Sequence, residues 1–122
     1  MIDADILSLD LDPIAFKLAY DERWSLKEID QTILEYRAML QLIRSSDGQS
    51  LAPSRAIDTV WHHHILDTQK YIADCEALFG RYVHHFPYSG LFSEDAAEQQ
   101  RARFDRTFTS IRAILSTEPM EK

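Results

Sequence analysis

Six apolar side chains between residues 26 and 43 recur at alternating steps of three and four. An α-helix turns once every 3.6 residues, so this spacing places all of them on one face. A helix with one long apolar face is stable in water only when that face packs against other helices. The pattern therefore predicts a long amphipathic helix in an all-α bundle, and the residues that define its apolar face are Leu26, Ile29, Ile33, Tyr36, Leu40 and Ile43.

Local sequence signals predict where this helix begins and where a shorter helix precedes it. Ser25 and Glu28 have the spacing of a capping box, in which each side chain accepts a hydrogen bond from the backbone of the other. The glycine at position 48 is placed to end the helix. Upstream, Asp12-Pro13 predicts an N-cap followed by proline in the first turn of a helix over residues 13–22.

A second apolar stripe predicts a third helix, running unbroken from Pro53-Ser54 to a stop at Gly80. Its stripe again alternates steps of three and four, and consists of Ile57, Trp61, His64, Thr68, Tyr71, Cys75 and Leu78. Residues 81–92 are rich in aromatic side chains and lack a helical period, which predicts an ordered loop.

Ser93 is expected to cap a last helix, with acidic residues in its first turn and an apolar face formed by Phe104, Phe108, Ile111 and Leu115. The expected architecture is a single-domain helical bundle over residues 1–122, with three long helices and one short N-terminal helix. Residues 1–12 and 118–122 are expected to be irregular tails.

Composition narrows the function classes. The chain of 122 residues carries a formal net charge of −7, which repels phosphate backbones and argues against nucleic-acid binding. Its acidic amino terminus is unlike a secretory signal, and no apolar run approaches the ~18 residues of a membrane span. The single cysteine excludes an internal disulfide and a cysteine-only zinc site. We therefore expect a cytoplasmic protein that binds neither nucleic acid nor membrane.

All five histidines of the chain fall within 24 consecutive residues, His62 to His85. Histidine is well suited to bind a transition metal or to transfer a proton near neutral pH. Asp58 and His62 lie one turn apart on the predicted helix, so they can hydrogen-bond or bind one metal ion together. His64 is rotated about 160° from His62, so a regular helix cannot direct both at one ion.

Completing a site at Asp58 and His62 requires ligands from another segment, and His84 and His85 are the available candidates. We expect a divalent metal, zinc or iron, bound by residues drawn from Asp58, His62, His64, His84 and His85. Cys75 lies about 16 Å along the helix axis from His64 and is expected to be a core residue. His63 is expected to be merely exposed.

An alternative interpretation is that the aspartate, tryptophan and histidine residues form a structural polar network that fixes helix register. In that case the aromatic loop over residues 82–92 would be a docking surface in an interaction domain, with a protein or a small molecule as partner. The common catalytic patterns are missing from the sequence, including a glycine-rich phosphate loop, Gly-x-Ser-x-Gly and His-Glu-x-x-His. Whether the protein is an enzyme stays open.

One stretch of the sequence, residues 53–80, resembles the motif of the glycine-rich domain-containing protein-like family. The resemblance implies a shared helical domain, and it singles out Asp58, Trp61, His62 and His64 over His63. It implies no particular reaction. With three glycines in total, the chain would be a short stand-alone version of that domain without the glycine-rich region. The residues that carry the resemblance are Pro53-Ser54, Ile57-Asp58-x-x-Trp61-His62-x-His64-Ile65-Leu66, Tyr71, Cys75 and Leu78-Phe79-Gly80.

Overall fold

The computed structural model describes residues 1–46, 51–85 and 94–118. Within these ranges the regular structure is entirely helical, which confirms the predicted all-α class. None of these helices is long and apolar enough to cross a membrane. The elements are α1 (Ala4–Leu7), α2 (Asp12–Asp21), α3 (Leu26–Ser46), α4 (Arg55–Leu66), α5 (Thr68–Phe79) and α6 (Glu94–Ser116).

The expected bundle of three long helices and one short helix differs from the structure mainly at Asp67. There the predicted third helix is broken, and α4 and α5 are separate helices that pack against each other. The ψ of Asp67 is 76°, outside the helical range. In an unbroken helix, residues ten positions apart lie about 15 Å apart along the axis. The break instead allows α5 to fold back, so that Trp61 hydrogen-bonds to Tyr71.

The predicted helix starts at Ser25 and Ser54 are present, whereas the predicted N-cap at Asp12 is wrong, because α2 begins at Asp12 and has Leu11 as an N-cap without a side-chain hydrogen bond. The backbone N–H of Ser25 donates to a carboxylate oxygen of Glu28 at 2.8 Å, and the N–H of Glu28 donates to Oγ of Ser25 at 3.1 Å. These bonds from Ser25 hold the pKa of the Glu28 carboxyl below its ordinary value. At the start of α4, Oγ of Ser54 accepts from the N–H of Ile57. The predicted cap at Ser93 and the predicted stop at Gly48 lie outside the described residues.

The first twelve residues are ordered on the bundle rather than forming the expected irregular tail. Three apolar side chains explain this difference, because Ile2, Ile6 and Leu11 are all buried. Arg44 of α3 holds the α1 segment through hydrogen-bonded ion pairs with Asp3 and Asp5.

The other expected tail, residues 118–122, begins at a contact with the amino terminus. Glu118 accepts a hydrogen bond from the backbone N–H of Ile2 at 2.7 Å. The rest of that tail, 119–122, lies outside the described residues.

Helix α3 contacts α1, α2, α4 and α6, and its side chains form much of the core. Tyr36 and Leu40 are buried as predicted, whereas Leu26 is 75% exposed because it is the first residue of the helix. The predicted face of α6 is also shifted. Ile111 is buried, but Phe108 is 52% exposed and lies at the edge of the face, where it stacks on Phe104.

Candidate functional site

The two histidine-containing segments meet beside α4. His85, which follows α5, hydrogen-bonds through Nε2 to a carboxylate oxygen of Asp58. The ring of His62 stacks on the ring of His85, with centroids 5.6 Å apart and planes inclined by 25°. The indole of Trp61 also contacts the ring of His85, with centroids 4.5 Å apart. Asp58, His62 and one histidine of the later segment are therefore brought together.

A turn after α5 returns the chain to this position. Gly80 ends α5 with a φ of 69°, a left-handed conformation that glycine adopts without steric cost. Three residues later, the side chain of Val83 is buried and its carbonyl oxygen accepts a hydrogen bond of 2.6 Å from the hydroxyl of Tyr71. The Tyr71 hydroxyl in turn accepts a hydrogen bond of 2.9 Å from Nε1 of Trp61. These contacts attach the segment bearing His85 to α4 and α5.

His64 belongs to a separate buried network. Its Nδ1 lies 2.7 Å from the hydroxyl of Tyr36, and its Nε2 lies 2.8 Å from a carboxylate oxygen of Asp74. Lys70 forms an ion pair with the same oxygen of Asp74 at 3.0 Å. Both ring nitrogens of His64 are therefore occupied by protein partners, and His64 is not brought together with Asp58 and His85.

The partners of His64 determine its tautomer. Burial lowers the pKa of the imidazole, against the opposing effect of Asp74, so the neutral ring is favoured. A neutral imidazole has one donor and one acceptor nitrogen, and an ionised carboxylate only accepts. Nε2 of His64 therefore donates to Asp74, and Nδ1 accepts from Tyr36. Burial also raises the pKa of the Tyr36 phenol, which keeps it protonated as the donor.

The remaining candidate residues lie around these two groups. His63, expected to be merely exposed, pairs through Nε2 with Glu22 at 2.8 Å. His84 is exposed and contacts the ring of Tyr82 edge to face, with centroids 4.6 Å apart. Cys75 is buried in the core, and of the predicted aromatic loop only residues 81–85 are among those the structure describes.

Sequence reasoning did not identify three partners of the histidines or the lysine that pairs with one of those partners. Tyr36 and Asp74 hold His64, Lys70 pairs with Asp74, and Glu22 pairs with His63. The i, i+4 spacing of Lys70 and Asp74 was a usable signal for their ion pair. The histidines contact Tyr36, Asp74 and Glu22 because of how the helices pack. No local sequence pattern predicts these contacts.

In the part of the chain that the structure describes, no three His, Cys, Asp or Glu side chains are arranged to hold a metal ion. Asp58 and His85 bond directly to each other, and His62 contacts His85 through its ring. Binding one ion through His62, Asp58 and His85 would require their side chains to move.

Comparisons with known proteins give one family. A family model described as UCP032817-like matches residues 14–114, which include most of α2, both histidine segments and most of α6. No curated protein and no solved structure matches the chain significantly. The likeness of residues 53–80 to the glycine-rich domain-containing protein-like family stays a prediction. The matching family model covers most of the chain, so the chain belongs to the UCP032817-like family.

Proposed function

We propose that this protein binds one divalent cation, zinc or iron(II), through Asp58, His62 and His85. The observation that carries the proposal is the return of His85 onto Asp58 beside His62, across 27 positions of sequence. One carboxylate and two imidazoles are a donor set that both metals accept, as in the zinc and non-haem iron sites built on two histidines and one acid.

The surroundings of the three side chains fit this role. The indole of Trp61 gives the group an apolar neighbour, while His62 and part of Asp58 face solvent and leave an entry path. An apolar neighbour lowers the local dielectric constant and so strengthens the attraction between a cation and a carboxylate. His84 points its ring at Tyr82 and is therefore the less favoured of the two neighbouring histidines.

Metal binding requires a specific change at the Asp58–His85 pair. To bind a cation through Nε2, the neutral His85 ring would carry its hydrogen on Nδ1, so that the Nε2 lone pair could face the metal instead of an N–H facing Asp58. A three-ligand site keeps a coordination position for water, and zinc there would lower the pKa of that water toward neutrality. Whether a substrate uses this position is a separate question.

The test is a zinc titration of tag-free protein that has first been stripped with chelator. We expect one equivalent bound in the wild type, and loss of binding in His62→Ala and His85→Ala with helical content retained. His63→Ala is the matched control, because His63 is adjacent on α4 but pairs with Glu22, and it should bind zinc like the wild type. A wild type that binds no zinc at micromolar concentrations, or variants that bind it equally, would overturn the proposal.

A second candidate, an interaction domain, is favoured by the network around His64. Trp61, His64, Tyr71 and Cys75 are all buried, and His64 has both ring nitrogens satisfied, so these motif residues already have a structural role. In this case metal-free protein keeps full stability in chelator, and His62→Gln is tolerated because glutamine can still hydrogen-bond. The partner would be a protein or a small molecule.

The cellular setting is proposed from composition. We propose a cytoplasmic protein, and its net charge of −7 supports the further expectation that it does not bind nucleic acid. Binding of a labelled DNA or RNA duplex at low salt, at micromolar protein concentration, would contradict the second part of this proposal.

A further inference from the structure

We infer that the hydroxyl of Tyr71 positions His85 for the site at Asp58, a role that rests on the proposed metal-binding function. This hydroxyl accepts from Nε1 of Trp61 at 2.9 Å and donates to the carbonyl oxygen of Val83 at 2.6 Å. Val83 is two residues before His85, so the bond fixes the backbone immediately before the proposed ligand.

The segment that carries His85 lacks the support of a helix or strand. Residues 82–85 have no regular secondary structure, so their position depends on individual contacts. At Val83 two such contacts coincide, the burial of its side chain and the hydrogen bond from Tyr71. Removing the hydroxyl leaves the first contact and deletes the second.

Trp61 links this anchor directly to the site. Its indole N–H donates to the Tyr71 hydroxyl, while its ring packs against the ring of His85. One side chain therefore orients the hydroxyl and also limits where the imidazole can lie. Burial raises the pKa of the Tyr71 phenol above its ordinary value, which keeps the hydroxyl protonated and able to donate to Val83.

The experiment compares Tyr71→Phe with Tyr36→Phe by competition titration with zinc. Each variant removes one buried tyrosine hydroxyl from a histidine-associated network, but the Tyr36 hydroxyl bonds to His64 and not to the segment bearing His85. Loss of a group that orients a ligand typically weakens metal affinity about 10- to 100-fold. We expect that loss in Tyr71→Phe and an unchanged affinity in Tyr36→Phe. Equal affinity in Tyr71→Phe and wild type, or equal losses in both variants, would overturn the inference.

A second measurement does not depend on metal. In metal-free wild type, we expect the Trp61 ring to shift the NMR signals of the His85 ring protons, because the two rings are in contact. We expect Tyr71→Phe to move these signals toward free-histidine values and Tyr36→Phe to leave them in place. If the wild type binds no zinc, the proposed function fails, and the His85 signals still decide the positioning role. Unchanged His85 signals in Tyr71→Phe would contradict it.

Discussion

The hydroxyl oxygen of Tyr36 lies 2.7 Å from Nδ1 of His64, and the two residues are 0% and 1% exposed. This bond connects α3 to α4 inside the core, and Asp74 of α5 completes it from the other side of the ring. The most buried histidine of the chain therefore stabilises the packing of three helices, and the proposed metal ligands lie in the neighbouring group around Asp58.

Tyr36→Phe should lower the free energy of unfolding by about 1–3 kcal/mol, because it leaves a buried acceptor on His64 without a donor. The measurement is urea unfolding of metal-free protein. Tyr20→Phe is the control, since Tyr20 is 67% exposed and its hydroxyl can bond to water in either state. Equal stability of Tyr36→Phe and wild type would show that the bond contributes nothing.

Acidification should destabilise the protein through His64. Burial lowers the pKa of this imidazole below its ordinary 6.5, so the unfolded chain takes up a proton at a higher pH than the folded chain does. Its contribution is fully present above pH 6.5 and is lost as the pH falls toward the folded-state pKa.

Unfolding free energies measured in chelator between about pH 8 and pH 5.5 check this direction. The difference between wild type and His64→Gln isolates the histidine, because the other titrating groups are common to both. Wild type should lose more stability on acidification than His64→Gln. The same loss in both proteins would assign the effect to other groups.

Gly80→Ala should destabilise by about 1–2 kcal/mol, which is the cost of a side chain in the left-handed conformation. An added Cβ meets nothing within 4 Å, so the cost is one of backbone conformation and not of crowding. Gly80→Asn should cost less, because asparagine tolerates this conformation better than alanine. Thermal or urea unfolding of the pair measures the difference, and alanine at least as stable as asparagine would contradict the account.

Two apolar residues of α2 should differ sharply on truncation. Leu18 is 0% exposed, so Leu18→Ala should cost about 2–5 kcal/mol through lost burial and a new cavity. Phe16 is 65% exposed and stacks only at the surface on Tyr20, so Phe16→Ala should change stability by roughly 0.5 kcal/mol or less. Similar effects of the two substitutions would mean that α2 presents a different face to the core.

Sequence reasoning succeeded where interactions are local. The capping box of Ser25 and Glu28 and the cap at Ser54 follow from spacings of three residues, and both are present. Asp58 and His62 likewise lie one turn apart on α4, as helix geometry requires, although the bond shown for Asp58 is to His85. The meeting with His85 was anticipated only as one of two options.

The break at Asp67 could not be predicted from the apolar stripe, because the stripe keeps the same spacing in α4 and α5 and reports only which face is buried. The signal was in the polar members of that stripe. Trp61, His64 and Tyr71 all need hydrogen-bond partners when buried, and folding α5 back provides them. The predicted buried face of α6 was wrong for a similar reason. Thr107 is buried where its hydroxyl accepts a hydrogen bond from the backbone N–H of Ala52, and this contact depends on tertiary packing.

X-ray absorption at the zinc edge of the zinc-loaded protein tests the central claim most directly. We predict one zinc with two imidazole nitrogens at about 2.0–2.1 Å, carboxylate or water oxygen in the remaining positions and no sulfur. His85→Ala, loaded and desalted in the same way, should retain no zinc signal. A spectrum without imidazole ligands, or with a sulfur ligand at about 2.3 Å, would contradict a site built from Asp58, His62 and His85.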